Sequence, residues 1–312
     1  PAEAAALADA AALINQLADN IRRVVVLREE TVRLALIGLL ADGHLLLEDV
    51  PGVGKTLLAR TIARSIDVSF RRIQFTPDLL PADITGSGVY NPQTGEFPFL
   101  PGPIFGQIVL CDEINRATPR TQSALLEAMG EGHVTVDGVV HPLPRPFLVI
   151  ATENPVESYG TFPLPEAQLD RFLLSFGLGY PDPADEVEIL DREERAEPEV
   201  NPVIGQAEVL ALQARVRLVA VTRSIKEYVV AIVGATRTHH AVALGVSPRG
   251  AVALQRAAQA RALTLGRGYV LPDDVKALAG AVLGHRLVLH SGARDEAAQV
   301  LDDVLDRIPV PL

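Results

Sequence analysis

The chain has 312 residues, 48% hydrophobic content and 24 glycines, which suits two folded domains with a large core and excludes a disordered protein. Its formal charge is −11, but nine acidic residues and two arginines fall between Asp182 and Glu199, while the other 30 acids face 26 bases. One solvated acidic segment therefore carries most of the bias, and a uniformly acidic surface is excluded. The single cysteine, Cys111, rules out an internal disulfide and fits a reducing compartment. No apolar run reaches the length of a membrane span, and the Ala-rich start carries Glu3 and Asp9 without a basic segment. That start reads as a helix rather than a signal peptide, so a cytoplasmic protein is expected.

Residues 1–41 predict two helices, about 4–24 and 29–41, joined near Val25-Val26-Leu27. Gly43 then begins a strand whose Leu45-Leu46-Leu47 run is apolar enough to be buried on both faces. The segment Glu48-Asp49-Val50-Pro51-Gly52-Val53-Gly54-Lys55-Thr56 breaks that strand, and 57–66 follows with helical apolar spacing at Leu58, Ile62 and Ile66. Strand, glycine turn, Lys-Thr and helix are the parts of a phosphate-binding loop, in which backbone N–H groups and a helix start face an anion and a lysine reaches the outer phosphates. The usual pattern has Gly at position 49. Asp is one of the few residues able to adopt the backbone angles Gly would supply, and its carboxylate must then point away from the phosphates.

Further along, 68–75 predicts a second strand and 79–84 a short helix after Thr76-Pro77-Asp78. Residues 87–100 predict a β-hairpin around Asn91-Pro92-Gln93-Thr94-Gly95, and 104–111 a third core strand ending in Asp112-Glu113. Residues 119–131 predict a helix capped by Thr118, and 132–146 a second hairpin turning at Asp137-Gly138. Residues 147–151 make the next buried strand, followed by Asn154; 165–170 a short helix; and 172–176 the fifth strand, reached through Arg171. Alternating strands and helices define a parallel α/β sheet. Beyond residue 183 only helical periodicity remains, at about 184–196, 206–220, 224–241, 248–265, 272–290 and 293–307. The chain thus divides into an α/β domain over 1–182 and a helical domain over 183–312.

Phosphoryl transfer depends on positioning and charge compensation. Thr56, which follows the loop lysine, and Asp112, at a strand end, supply the hydroxyl and carboxylate oxygens that Mg²⁺ prefers. Glu113 has the carboxylate to accept a proton from water or to orient it. Asn154, at the end of the adjacent strand, could hydrogen-bond a water and a γ-phosphate, although taken alone it reads as a turn residue before Pro155. Arg171, at the sheet edge, could reach a neighbouring subunit's phosphate, or form a surface salt bridge. Arg249, just inside a helix start at Ser247-Pro248, can face a ligand held between the two domains.

Taken together, Val50-Pro51-Gly52-Val53-Gly54-Lys55-Thr56, Leu110-Cys111-Asp112-Glu113-Ile114-Asn115-Arg116-Ala117 and Gln122-Ser123-Ala124-Leu125-Leu126-Glu127-Ala128-Met129 resemble the MoxR family of AAA+ ATPases. Ala151-Thr152-Glu153-Asn154-Pro155, Leu164-Pro165-Glu166-Ala167-Gln168-Leu169-Asp170-Arg171-Phe172 and Ser247-Pro248-Arg249 continue the resemblance, which runs in order from about residue 20 to 290. It implies a P-loop AAA+ core with a C-terminal all-helical lid. It also implies a nucleotide loop from Val50 to Leu57 with Lys55 and Thr56 as Walker A, and Walker B at Asp112 and Glu113. Asn154 would be sensor 1, Arg171 an arginine finger and Arg249 sensor 2. The hairpins at 87–100 and 132–146 would be the helix-2 and pre-sensor-1 inserts. The implied activity is Mg²⁺-dependent hydrolysis of ATP to ADP at the interfaces of a ring, usually a hexamer. The implied role is chaperone-like or maturation work, often beside a partner with a von Willebrand factor A domain. Three positions depart from the family pattern. Asp49 replaces a Gly in a familiar variant; Leu27 stands where a Gly borders the adenine; and Glu153 replaces a Gln, adding negative charge that is expected to slow hydrolysis.

Three rivals share these motifs. A DNA-remodelling ATPase needs basic hairpins, yet 87–100 holds no Lys or Arg and 132–146 only Arg145, offset by Asp137. Tyr90, Phe97 and Phe99 are instead expected at the surface, suited to a protein. The ATPase subunit of a metal chelatase differs only in its partner. A non-hydrolytic scaffold has no use for Glu113, Asn154, Arg171 and Arg249 together. The histidines predict no metal site: His239-His240 falls within a predicted helix and points two ways, while His133, His141, His285 and His290 lack ligand spacing. His44 and Cys111 read as core residues.

Overall fold

The computed structural model describes residues 2–50, 52–154, 160–194 and 199–311. Two helices, α1 (Ala2–Arg22) and α2 (Glu29–Leu40), precede β1 (Leu45–Glu48). Then come α3 (Lys55–Ser65), β2 (Phe70–Gln74), α4 (Pro81–Thr85), the hairpin β3 (Gly86–Gly88) and β4 (Phe99–Pro101), β5 (Ile108–Asp112) and α5 (Pro119–Glu131). A second hairpin, β6 (His133–Val136) and β7 (Val139–Pro142), leads to β8 (Leu148–Glu153), α6 (Glu166–Leu169) and β9 (Leu174–Phe176). Strands β2, β5, β8, β1 and β9 form, in that order, one fully parallel sheet.

The period-two rule explains how the sheet buries both faces. Leu45, Leu47, Ile108, Leu110, Leu148, Ile150 and Leu174 pack with α1, α2 and α3 on one side. Leu46, Ile73, Val109, Cys111, Val149 and Ala151 pack on the other with α5 residues Leu125, Leu126 and Met129. The chain leaves β1 for the far edge at β2 and returns past it to β9, so the direction of winding reverses beside β1. In open α/β sheets the ligand crevice lies at that reversal, outside the C-terminal strand ends.

The chain after β9 contains α7 (Pro183–Glu193), α8 (Gln206–Val216), α9 (Arg223–Thr238), α10 (Pro248–Thr264), α11 (Pro272–Leu283) and α12 (Ala297–Arg307). It is helical, with one addition that periodicity missed: a two-stranded antiparallel ribbon, β10 (Val242–Leu244) with β11 (Val288–Leu289). Both strands are too short to develop an alternating pattern. Consequently the helix expected over 224–241 stops at Thr238 and that over 272–290 stops at Leu283. His239 and His240 therefore leave the helix and stack, with ring centroids 4.5 Å apart, rather than diverging. Residues 104 and 105, expected to begin the third strand, fall instead in a 3₁₀ turn, Pro103–Phe105, with Pro103 at its first position. Thr118 takes the N-cap position of α5, but its hydroxyl meets that of Thr121 at 3.3 Å and caps no backbone N–H.

The hairpins form near the expected positions. On the first hairpin Tyr90 and Phe97 are exposed, with ring centroids 5.1 Å apart and planes tilted by 45°, whereas Phe99 is half-buried between Phe105 and His141. No described helix is long and apolar enough to cross a membrane.

Candidate functional site

Asp49, Val50, Gly52 and Val53 carry the chain from β1 into α3, whose first residue is Lys55; Pro51 lies outside the described residues. Gly52 and Gly54 adopt φ +90° and +95°, angles that a side chain rarely tolerates, and Gly54 holds the N-cap position of α3. The loop thereby turns the unpaired N–H groups of a helix start toward the crevice, the electrostatic setting that favours an anion. Asp49 is not at positive φ, so it owes its place to its side chain and not to glycine-like freedom. That carboxylate points away from the crevice, as expected, and accepts the N–H groups of Leu178 and Gly179, the latter at 3.1 Å. The Asp49 carbonyl accepts Lys55 Nζ at 2.8 Å. Burial holds the Lys55 ammonium below its ordinary pKa, partly opposed by Asp49, Asp112 and Glu113.

Two clefts meet at the loop. The smaller, about 350 Å³, is lined by Gly52, Gly54, Lys55, Thr56, Leu57, Arg72, Gln74, Asp112, Glu113, Thr152 and Asn154. The larger, about 650 Å³, is lined by the apolar run from Val24 to Leu27 and by Leu178, Tyr180 and Ile189, with Arg28, Asp185, Glu186 and Arg192 among them. Leu27 is thus part of the wall itself. Their shared residues, Gly52, Gly54 and Leu57, make one continuous trough with a polar end and an apolar end.

At the polar end, Thr152 Oγ1 donates to Asp112 Oδ1 at 3.1 Å and accepts the Glu113 N–H at 2.9 Å. Arg72 pairs with Asp112 Oδ2 at 2.7 Å, and Gln74 Nε2 donates to Glu113 Oε2 at 2.9 Å. Glu113 lies in the left-handed region at φ +55°, where a non-glycine residue carries backbone strain. The strain is held in place by Thr152 and Gln74 and aims the carboxylate into the cleft. Arg72 and Gln74 escaped sequence reading because 68–75 looked like a core strand. β2 is in fact an edge strand, and the signal was available: Arg71, Arg72 and Gln74 interrupt its apolar run.

Asn154, at the end of β8, joins this cleft, whereas Arg171 and Arg249 line neither. Arg171 donates to the carbonyl of Leu126, midway along α5, and Arg249 is exposed on the first turn of α10. Beside Asn154, burial raises Glu153 from its ordinary 4.5 to about 7, against the lowering effect of Arg294. His44 and Cys111 are core residues as expected: burial depresses His44 to about 4 and pushes the Cys111 thiol up. The described residues contain no cluster of three or more His, Cys, Asp or Glu able to hold a metal. Mg²⁺ bound with a nucleotide does not need one, since phosphates and waters supply most of its ligands. Thr56 and Asp112 in one cleft fit that mode of binding.

A five-stranded parallel sheet with a glycine loop opening at its reversal point, under a helical lid, defines a P-loop ATPase of the AAA+ class. The family described as "ATPase family associated with various cellular activities (AAA)" matches residues 44–174, and the AAA lid domain family matches residues 234–308. The chain is 52% identical to the Bacillus subtilis protein YeaC, which is described as uncharacterized, over 96% of this chain and 95% of that one. It is 43% identical to the Mycobacterium tuberculosis protein called chaperone MoxR1, over 94% of this chain and 81% of the relative. A crystal structure from Cytophaga hutchinsonii superposes with a TM-score of 0.91 at 38% identity, covering 98% of this chain and 97% of the other. The chain belongs to the MoxR family of AAA+ ATPases.

Proposed function

We propose that the protein is a Mg²⁺-dependent ATPase that works as a ring and uses hydrolysis to remodel or mature a protein partner. The reading rests chiefly on one observation: Lys55, Thr56, Asp112 and a left-handed Glu113 face a single 350 Å³ cleft. In it, the α3 start and Lys55 hold the outer phosphates, while the apolar wall from Val24 to Leu27 in the adjoining larger cleft takes the adenine. Thr56 and Asp112 hold Mg²⁺, which when bound neutralises phosphate charge. Glu113, oriented by Gln74 and Thr152, takes the proton of the attacking water, and Asn154 positions that water.

Arg171 and Arg249 line neither cleft of the single chain, which supports a composite site. Arg171 comes from the adjacent subunit as an arginine finger, Arg249 serves as sensor 2, and the ring is a hexamer. The domain boundary lies near residue 183, and the compartment is the cytoplasm. The partner is a protein, with a von Willebrand factor A domain as the family expectation. The exposed Tyr90–Phe97 pair, on a hairpin without Lys or Arg, favours a polypeptide over nucleic acid.

Turnover measured against protein concentration tests this reading. The rate per subunit should rise steeply as rings assemble, and Glu113→Gln should lose about 10²–10⁴-fold of it while still binding ATP. A dilute monomer as fast as the assembled protein would overturn the composite site. Turnover stimulated by DNA in a salt-sensitive manner would overturn the protein partner.

A further inference from the structure

Arg171 is flanked by Asp170 and Phe172, and both neighbours are held from the lid. Arg286, in the 3₁₀ turn after α11, has a side chain only 3% exposed. Its Nε donates to Asp170 Oδ1 at 2.8 Å, its Nη2 to the carbonyls of Asp170 and Phe172, and its Nη1 to the Leu173 carbonyl at 3.3 Å. One guanidinium therefore grips the backbone on both sides of Arg171. The second oxygen of Asp170 accepts the Ser247 hydroxyl at 3.1 Å. Ser247 is the N-cap of α10, the helix whose first turn carries Arg249.

The chemistry of this contact is unusual for simple packing. A buried ion pair is a costly way to join two domains, and apolar residues of similar size often do as well. What such a pair does supply is a fixed geometry, because the planar fork of Arg has few ways to satisfy its donors. The Arg171 side chain is held differently: its described hydrogen bond runs to the Leu126 carbonyl alone, within the α/β domain. Its backbone therefore follows the lid, whereas its guanidinium can change partner.

We propose that Arg286 and Ser247 are positioning residues which, through Asp170, tie the place of Arg171 to the stance of the lid. The nucleotide held beneath one subunit's lid thereby governs the finger presented to the next subunit. This rests on the reading that Arg171 acts across a subunit boundary. The route is short and covalently continuous at each end: Arg249 and Ser247 share the start of α10, and Asp170 and Arg171 share a peptide bond. Head-to-tail contacts around a ring would pass such a signal in one direction.

Mixed rings separate this role from a structural one. Arg286→Gln alone should keep ATP affinity and assembly but lose about 10–100-fold in turnover, the scale expected for a displaced group. It is then co-assembled one to one with Glu113→Gln, whose own site is dead but whose finger is intact. In random rings about a quarter of the interfaces join an Arg286→Gln site to a sound finger. Turnover should recover to about that fraction of wild type. Arg171→Ala mixed with Glu113→Gln is the control, and Asp170→Asn is carried in parallel in case Arg286→Gln does not assemble. Recovery with Arg171→Ala but not with Arg286→Gln or Asp170→Asn would overturn the coupling, as would full turnover of either variant alone. No recovery even with Arg171→Ala would overturn the trans-acting finger itself, and the coupling with it.

Discussion

Asp112 and Glu153 end neighbouring strands of one sheet, and each is more than nine-tenths buried. Their surroundings treat them oppositely. Both oxygens of Asp112 are paired, one with Thr152 and one with Arg72. Glu153 has one oxygen without a partner among the described residues, and the other reaches Arg294 only at 3.5 Å. Sheet order supplies the reason. β5 borders β2, which offers Arg72 in register near Asp112, while β8 borders β1, where Glu48 lies directly opposite Glu153. A buried carboxylate is stabilised by donors and penalised by like charge. One strand end is therefore built to keep a negative charge in the cleft, and the other to resist one.

The largest break in this contrast should come from Asp112→Asn. It removes the charge that Arg72 and Thr152 are arranged around, and turnover should fall by about 10²–10³-fold, the usual result of deleting one preorganised electrostatic group. Retained turnover in steady-state kinetics would show that the paired carboxylate is only structural.

Glu153→Gln should do the reverse and stabilise the fold. The unfolded Glu153 ionises near 4.5 and the folded one near about 7, so the native state holds the extra proton between those values and loses stability as pH rises through them. Above pH 7 the full penalty, roughly 3 kcal/mol, applies. Denaturant unfolding should find the Gln variant more stable by about that much at pH 8 and no different at pH 4.5, and its turnover should be faster. His44 has the opposite sign. Depressed from 6.5 to about 4, it stabilises the fold above pH 6.5 and loses that contribution as pH falls toward 4. In the wild type the two effects oppose each other from 4.5 to 6.5, and removing Glu153 should leave stability rising with pH over that window.

The smallest effect belongs to Arg294→Ala. Its side chain is 48% exposed and shared between Glu48 and Glu153 at 3.5 Å, so less than about 1 kcal/mol should be lost at pH 8. A larger loss in the same unfolding assay would mean that this lid arginine holds the sheet end as firmly as Arg72 does.

How far the sequence could be read depended on whether the partners of a residue were local. Lys55 and Thr56 were legible because strand, glycine turn and helix start follow one another in sequence. Asp112 and Glu113 were legible because an apolar run ended on them. Arg72, Gln74 and Thr152 were not, since each acts on a residue roughly forty positions away through strand register. The same holds for Arg286, 116 positions from Asp170. Asp49 illustrates a right position with an incomplete reason: its carboxylate turns from the crevice because the N–H groups of Leu178 and Gly179, about 130 residues on, donate to it there. The β10–β11 ribbon was invisible because two-residue and three-residue strands have no period.

By itself, then, the sequence determined the parallel α/β core, the glycine loop, the helical lid and the family, because each is written in short-range pattern or contiguous motif. Tertiary structure alone decided which charges those motifs meet. Strand order placed Arg72 beside Asp112 and Glu48 beside Glu153, and lid packing placed Arg286 around Asp170. Electrostatic partnership depends on distance in space and on burial, and neither is a property of spacing along the chain.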